Sequence, residues 1–293
     1  MIVYGRGLDR SNKQLYQACK KQIGETILAR AADLSAYVGR DGSRFWHGDK
    51  ELPHIDVCFV RSLGSGSFEQ VTKRVSLIKH LESSGTFVIN PVKAFLKTRD
   101  KYAAMFVLAK AGLPIPSTFV TEMAHWAYRK SKDFKQTVYK PLIGSLGFGS
   151  MKFENADMAF NAYTKLERMG KPLYMQEYIE KSRRDIRAFV LGEKVLAAIS
   201  RVAKPNKWKT NIAQGAKAKA VQLPTKTKEL ALKATKTLGL LYAGVDILKT
   251  HEKTLILEVN SSPSWQGLQR STGINVAEKL VSYVIELKKQ RKT

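Results

Sequence analysis

Acidic residues are scarce in this chain. Its 293 residues carry 25 Asp and Glu against 50 Lys and Arg, a formal net charge of +25 at neutral pH. That imbalance favours polyanionic partners: nucleotides, phosphorylated cofactors, RNA or a ribonucleoprotein. A basic surface with no such partner explains it equally well. The cations are spread along the chain, and only Lys288 to Lys292, "KKQRK", form a run, which reads as a solvated terminus. Cysteine is scarcer still. Cys19 and Cys58 make no disulfide framework and lack metal-ligand spacing, so both read as packing residues. No apolar run approaches the ~20 residues that span a bilayer. The opening "MIVYGRGLDR" has no signal-peptide core, so a cytoplasmic protein with no membrane partner is expected. Internal repeats, low-complexity linkers and a Walker A motif are also missing.

What is present alternates strand-like and helix-like runs. "MIVYG", Ile55 to Arg61 and Thr86 to Asn90 read as strands. Between the last two, Val71, Val75, Ile78 and Leu81 fall at helical spacing up to Gly85. Strand, helix and strand at this spacing imply a parallel sheet. From Thr98 to Gly112 the pattern predicts one amphipathic helix. Strands near Thr118 and in "QTVYKPL" follow, then a glycine-rich turn, "MKFEN" and a helix from Ala156 to Met169. Next come "LYMQEYI", a hairpin turning at Gly192-Glu193, a basic stretch to Ala220 and a helix from Lys226. Strands "AGVDIL" and "TLILEVN" and a helix from Val276 to Lys289 complete the pattern. The parse gives three lobes, 1–97, 98–173 and 174–293, in an α/β fold of α+β lobes.

Two of those strands hold the residues that need most explanation. Asp246 sits in an apolar run, and Glu258 and Asn260 end another, two apart and so on one face. Burying unpaired carboxylates costs several kcal/mol, so they need partners. If the strands are antiparallel neighbours, two carboxylates and an amide oxygen converge. Such an incomplete set of hard oxygens suits Mg²⁺ on a nucleotide better than a closed cage; an ion pair to lysine is the plainer alternative. Lys140, in "VYKPL", is a cation in an apolar strand. The loop "GSLGFGS" follows, Gly144 to Ser150, and small residues let amides close over phosphate oxygens. Lys101, at a helix start, is a second candidate phosphate cation. "YMQEYI" could frame a flat base or be plain core. Asp185 and Arg187 share a strand face, where they could hold a ribose and a phosphoryl oxygen or simply each other.

In this order and spacing, "TRDKYAAMFVLAKAGLPIPST", "VYKPLIGSLGFGS", "YMQEYI", "RDIRAFV", "AAISRVAKPNKWKTN", "AGVDIL", "LEVNSSPS" and "GIN" resemble the ATP-grasp ligases of the RimK type. The resemblance covers residues from about 90 to 285. It implies an ATP-grasp fold behind an N-terminal α/β domain, and an ATP-dependent carboxylate–amine ligase using Mg²⁺ or Mn²⁺, one or two ions. An acceptor carboxylate would be phosphorylated by ATP and joined to an amine, usually that of L-glutamate. Carried over, Lys101 and Lys140 would touch phosphates beneath a loop formed by Gly144, Ser145, Gly147 and Gly149. Gln176, Glu177, Tyr178 and Ile179 would line the adenine, Asp185 the ribose, and Lys209 the nucleotide. Arg187, Arg201 and Asn211 would hold the transferring phosphoryl group, and Asp246, Glu258 and Asn260 the metal. Lys209-Thr210-Asn211 stands where Arg-Ser-Asn is common, and Ser264-Trp265 where a glycine is common. Trp208 and Trp265 are therefore candidates to stack on a flat acceptor, or else core filler. The charge favours an anionic cofactor tail of deazaflavin or tetrahydromethanopterin type. A ribosomal or carrier protein is the alternative acceptor, and a non-catalytic RNA binder on the same fold the alternative class. An amine other than glutamate also stays open. The family likeness further implies a homo-oligomer, and the basic segment from Ser200 to Ala220 a mobile lid.

Overall fold

The computed structural model describes residues 1–144, 146–180 and 184–291, which form mixed α/β structure. Two compact units divide the chain. One holds Met1–Phe95, Gly239–Tyr242 and Ser261–Thr293, the other Leu96–Leu238 and Ala243–Asn260.

The first unit opens with β1 (Ile2–Tyr4), α1 (Arg10–Gln22), β2 (Leu28–Arg30) and an antiparallel meander, β3 (Leu34–Gly39), β4 (Gly42–His47) and β5 (Lys50–Glu51). Then come β6 (Val57–Val60), α2 (Phe68–Ser83), β7 (Phe87–Ile89) and α3 (Val92–Arg99). The main sheet is ordered β2-β1-β6-β7, with each neighbouring pair parallel. Parallel neighbours require a crossover, and α2 supplies one. A Ser67/Gln70 capping box starts it, and its inner face buries Ile78 and Leu81. Sequence periodicity shows β1, β6, α2 and β7 but neither α1 nor the meander. The inner face of α1 is partly polar, with Ser11 and Asn12 buried beside Leu15, Ala18 and Cys19, which blurs its period. Cys19 and Cys58 are unbridged and buried, and burial pushes their thiols up to about 11 and about 12.

The second unit begins with α4 (Lys101–Lys110). The single helix expected from Thr98 is in fact two. Asp100 is extended between them, and its carboxylate accepts the amides of Tyr102 and Ala103. Satisfying two orphan donors with one short side chain competes well against continuing the helix. Lys101 therefore heads α4, and its amide donates to Leu142 O at 3.3 Å. The chain continues through β8 (Thr118–Thr121), α5 (Ala124–Phe134), β9 (Thr137–Lys140), β10 (Met151–Phe153), α6 (Ala156–Arg168) and β11 (Leu173–Glu177). Its antiparallel sheet is ordered β10-β9-β11-β8. Ala127 of α5 and Ala159 and Tyr163 of α6 pack on Tyr139, Leu173 and Met175. Alternation then turns Val138, Lys140, Tyr174 and Gln176 to the opposite face.

A five-stranded sheet follows, ordered β14-β13-β12-β15-β16. It is built from β12 (Arg184–Leu191), β13 (Lys194–Val202), β14 (Lys217–Ala220), β15 (Tyr242–Lys249) and β16 (Thr254–Asn260), with α7 (Thr225–Leu238) between β14 and β15. The chain then returns to the first unit with α8 (Gln266–Thr272) and α9 (Val276–Gln290), the latter packed beside α1. Trp265 is wholly buried there. Its indole N–H donates to Gln14 Oε1 at 3.0 Å, and the Arg61 guanidinium lies 4.6 Å from the ring centre. It fills core and offers no face to an acceptor, which corrects the stacking expectation for this residue. Among the described residues no helix is long and apolar enough to cross a membrane.

Candidate active site

Two β-bulges set the register of the acidic strands. From their turn, Lys249 pairs with Thr254 and Ile247 with Ile256. Leu257 is then skipped, so Glu258 lies opposite Asp246 and Asn260 opposite Gly244. In unbroken register Asp246 would face Leu257 instead. The hairpin of β12 and β13 repeats the device. Leu191 pairs with Lys194 and Val190 with Val195, Leu196 is skipped, and Arg201 comes to lie opposite Asp185. Without that skip Asp185 would face Ser200.

The result is a buried chain of ions. Arg201 donates from Nε and Nη2 to the two oxygens of Asp185, each at 2.7 Å, and its Nη2 stands 3.1 Å from Asp246 Oδ2. Arg187 grips Asp246 from the other side, through Nε and, at 2.8 Å, through Nη2. Asp185, Arg201 and Asp246 are each 4% exposed. Burial alone would raise the Asp246 pKa, but Arg187 and Arg201 outweigh it and hold the carboxyl at about 2. Burial likewise pulls the Arg201 guanidinium down, while Asp246 and Asp185 push it well above its ordinary value. Two cations balance two anions, the condition under which buried charges persist.

This arrangement corrects one expectation. Both oxygens of Asp185 are held by Arg201, and Oδ2 also accepts the Thr210 hydroxyl. The residue is thus an anchor for other side chains, not a group presented to a ribose. Gln176 is similar. Its side chain is 2% exposed, accepts from Lys140 Nζ at 2.6 Å and donates to Thr118 Oγ1 at 3.0 Å, so it braces the lysine.

A cleft of about 100 Å³ opens against this network. Lys101, Lys140, Gly144, Gly147, Asp185, Arg201, Lys209, Asn211, Asp246 and Glu258 all border it. Lys101 Nζ donates to Gly144 O at 2.7 Å and stands 3.6 Å from Glu258 Oε1, joining the start of α4 to both loop and acid. The covering loop is wound tightly, with Leu146 and Gly147 in succession at φ of 60° and 73°. A side chain on Gly147 would meet Asn211 Oδ1 at 2.5 Å, so glycine is required there twice over. Burial lowers the Lys209 pKa, and its Nζ donates to Gly147 O at 3.0 Å. Next to the cleft is a smaller space of about 60 Å³ that Glu177, Tyr178 and Ile179 line with Pro116, Val138, Trp208, Leu248 and Leu257. Leu257 is the bulge residue and faces both spaces. Sequence reading missed it because alternation assigns it to the opposite face from Glu258. Among the described residues Gly149, Arg187 and Asn260 line neither space, and Ser145 lies outside the described residues.

The donor set fits a hard divalent cation. Among the described residues no three His, Cys, Asp or Glu side chains converge, so no closed cage exists. Asp246 and Glu258 oppose each other, and Asn260 Nδ2 is buried with no hydrogen-bond partner among the described residues. Turning that amide end for end would present its oxygen at the same place. Oxygen ligands from two carboxylates and an amide, completed by phosphate and water, are the set Mg²⁺ accepts.

Comparison with known proteins agrees with this geometry. The RimK-like ATP-grasp domain family matches residues 98–284. A tetrahydromethanopterin:alpha-L-glutamate ligase of Methanosarcina acetivorans is 33% identical over 279 residues, covering 86% of each chain. A Legionella pneumophila protein named "Probable alpha-L-glutamate ligase" is 33% identical over 250 residues, 82% of this chain and 79% of its own. The ATP-grasp ligase PsnB, solved with a phosphomimetic variant of its minimal precursor, Mg and ADP, superimposes with a TM-score of 0.76 at 19% identity over 98% of both chains. The chain belongs to the RimK-like ATP-grasp family and is, by that membership, an ATP-dependent carboxylate–amine ligase.

Proposed function

We propose that this ligase joins the amine of L-glutamate to a carboxylate of an anionic acceptor, most naturally a cofactor tail of the tetrahydromethanopterin or deazaflavin type. The opposition of Asp246 and Glu258 at the head of a lysine-lined cleft carries the reading. The name of the M. acetivorans relative supports glutamate as the amine and a pterin as the kind of acceptor, and the +25 charge supports an anionic one. Of the three proposed lobes, 98–173 contributes Lys101, Lys140 and the glycine loop, and 174–293 contributes the base-lining strand end and the acids.

In this reaction the acceptor carboxylate attacks the γ-phosphorus of ATP and ADP departs. The amine then attacks the acyl carbon, phosphate leaves and the amine loses a proton. Positioning and charge neutralisation are what such transfers need. Lys101 and Lys140 would offset phosphate charge. Lys209 and Asn211, above the loop, would close over the transferring group, while Arg201, fixed by Asp185, would face it from the floor. A metal ion held by Asp246, Glu258 and Asn260 would supply further neutralisation at the phosphate oxygens. The apolar space beside Tyr178, Trp208 and Leu257 suits a purine ring.

Phosphate release from ATP and Mg²⁺ with L-glutamate, against a panel of pterin, deazaflavin and protein acceptors, tests the proposal beside Asp246→Asn and Glu258→Gln. Turnover requiring both acceptor and glutamate, and lost in both variants, is expected. Turnover with another amine only, or with protein acceptors only, would overturn that part of the reading. Tight, salt-sensitive RNA binding without ATP binding would overturn it whole.

A further inference from the structure

The segment between β13 and β14 presents a contrast within three residues. Lys209 and Asn211 reach the glycine loop, one donating to Gly147 O and the other lying against Gly147 Cα. Gln214 adds a donation to Leu146 O at 3.3 Å. Thr210, between them, is turned inward and only 4% exposed, and its hydroxyl donates to Asp185 Oδ2. Asp185 in turn holds both donors of Arg201. One buried hydroxyl is thus the point at which an otherwise polar, basic segment meets the buried ion chain.

We propose that Thr210 and Asp185 form a positioning pair that fixes the segment carrying Lys209 and Asn211 and holds Arg201 in register with Asp246. The assignment of catalytic consequences to this pair rests on the ligase reading, whereas the pair's mechanical role does not. Neither residue need touch substrate. The carboxylate is committed on both oxygens, and the hydroxyl points away from the cleft's covering loop. A hydrogen bond to a buried ionised group is worth roughly ten- to a hundredfold in an equilibrium. That is enough to decide whether the segment rests closed over the glycine loop or opens.

Trypsin offers a direct readout, because Lys207 and Lys209 are cleavable positions within the segment. The full-length protein, without nucleotide or metal, is digested as wild type, Thr210→Val and Thr210→Ser. Cleavage tracks the open population when opening is fast. The valine variant, which keeps the shape and loses the hydroxyl, should be cut after Lys207 and Lys209 about tenfold faster. The serine variant should stay close to wild type, and ADP affinity should fall in the valine variant by a similar factor. Wild-type cleavage in Thr210→Val would overturn the proposal, as would serine behaving like valine. A loss of ADP affinity with unchanged cleavage would instead make Asp185 a nucleotide contact and also overturn it. Should Thr210→Val not fold, Thr210→Ala is read in the same assay. The digestion needs neither ATP nor acceptor, so its outcome is independent of whether the ligase reaction is found.

Discussion

Arg61 and Arg201 are both buried arginines, 7% and 4% exposed, and each fixes a polar core of its own unit. Their surroundings differ in kind. Arg61 is held by neutral groups: Nε donates to Asn12 Oδ1, Nη1 to the Tyr242 hydroxyl and Nη2 to Pro263 O, each at 3.0 Å, with the Trp265 ring beneath. Arg201 is held by two carboxylates. A neutral cage uses the rigid guanidinium fork as a template for shape. An anionic cage sets protonation states, and it borders a cleft where phosphate could share the cation. Burial alone therefore says little about function; the charge of the partners separates a structural arginine from one poised for chemistry.

The comparison is sharpest when each arginine is removed. Arg201→Met should leave Asp185 and Asp246 uncompensated, costing about 3–5 kcal/mol of stability and about a thousandfold in turnover. Urea unfolding and single-turnover rates read the two effects. Arg61→Met should cost somewhat less, roughly 2–4 kcal/mol, since it strands neutral acceptors, and turnover per folded molecule should stay within about threefold. Equal losses of activity in both variants would break the distinction.

Acid should separate the two cages as well. Asp246 has its pKa lowered from 3.8 to about 2, so its folded state binds fewer protons than its unfolded state between those values. Its stabilisation is complete above pH 4 and is lost as pH falls towards 2, an effect of roughly 2 kcal/mol. The difference in unfolding free energy between wild type and Asp246→Asn should shrink over that window, whereas a change in the Arg61 cage should add no such slope. The smallest effect is expected at Trp265→Phe. Losing the donation to Gln14 and part of the stack should cost about 1–2 kcal/mol and leave ADP affinity unchanged.

The legible part of the site was what alternation and composition can carry. Asp246, Glu258 and Asn260 stand out because each interrupts apolar strand sequence, and Lys140 with the glycine loop stands out likewise. Pairing across strands is different. Counting outward from the Gly192-Glu193 turn sets Asp185 opposite Ser200, and only the bulge at Leu196 brings Arg201 there. The bulge at Leu257 hides a cleft residue in the same manner. A skipped residue leaves no trace in hydrophobic period, so the ion chain was out of reach, as was the inward turn of Thr210. In the fold, Asp100 split an expected helix because a cap competes locally with a helical pattern. The meander at 34–51 escaped notice because most of its residues are at least partly exposed and offer little apolar alternation.

The central claim is that strands β15 and β16 end in acids because they end at a metal-bearing nucleotide. Calorimetric titration of ATP into wild type and Glu258→Gln, with and without Mg²⁺, tests it most directly. Mg²⁺ should tighten binding at least about tenfold in wild type and make little difference in the variant. Equal enhancement by Mg²⁺ in both proteins, or none in either, would contradict the account.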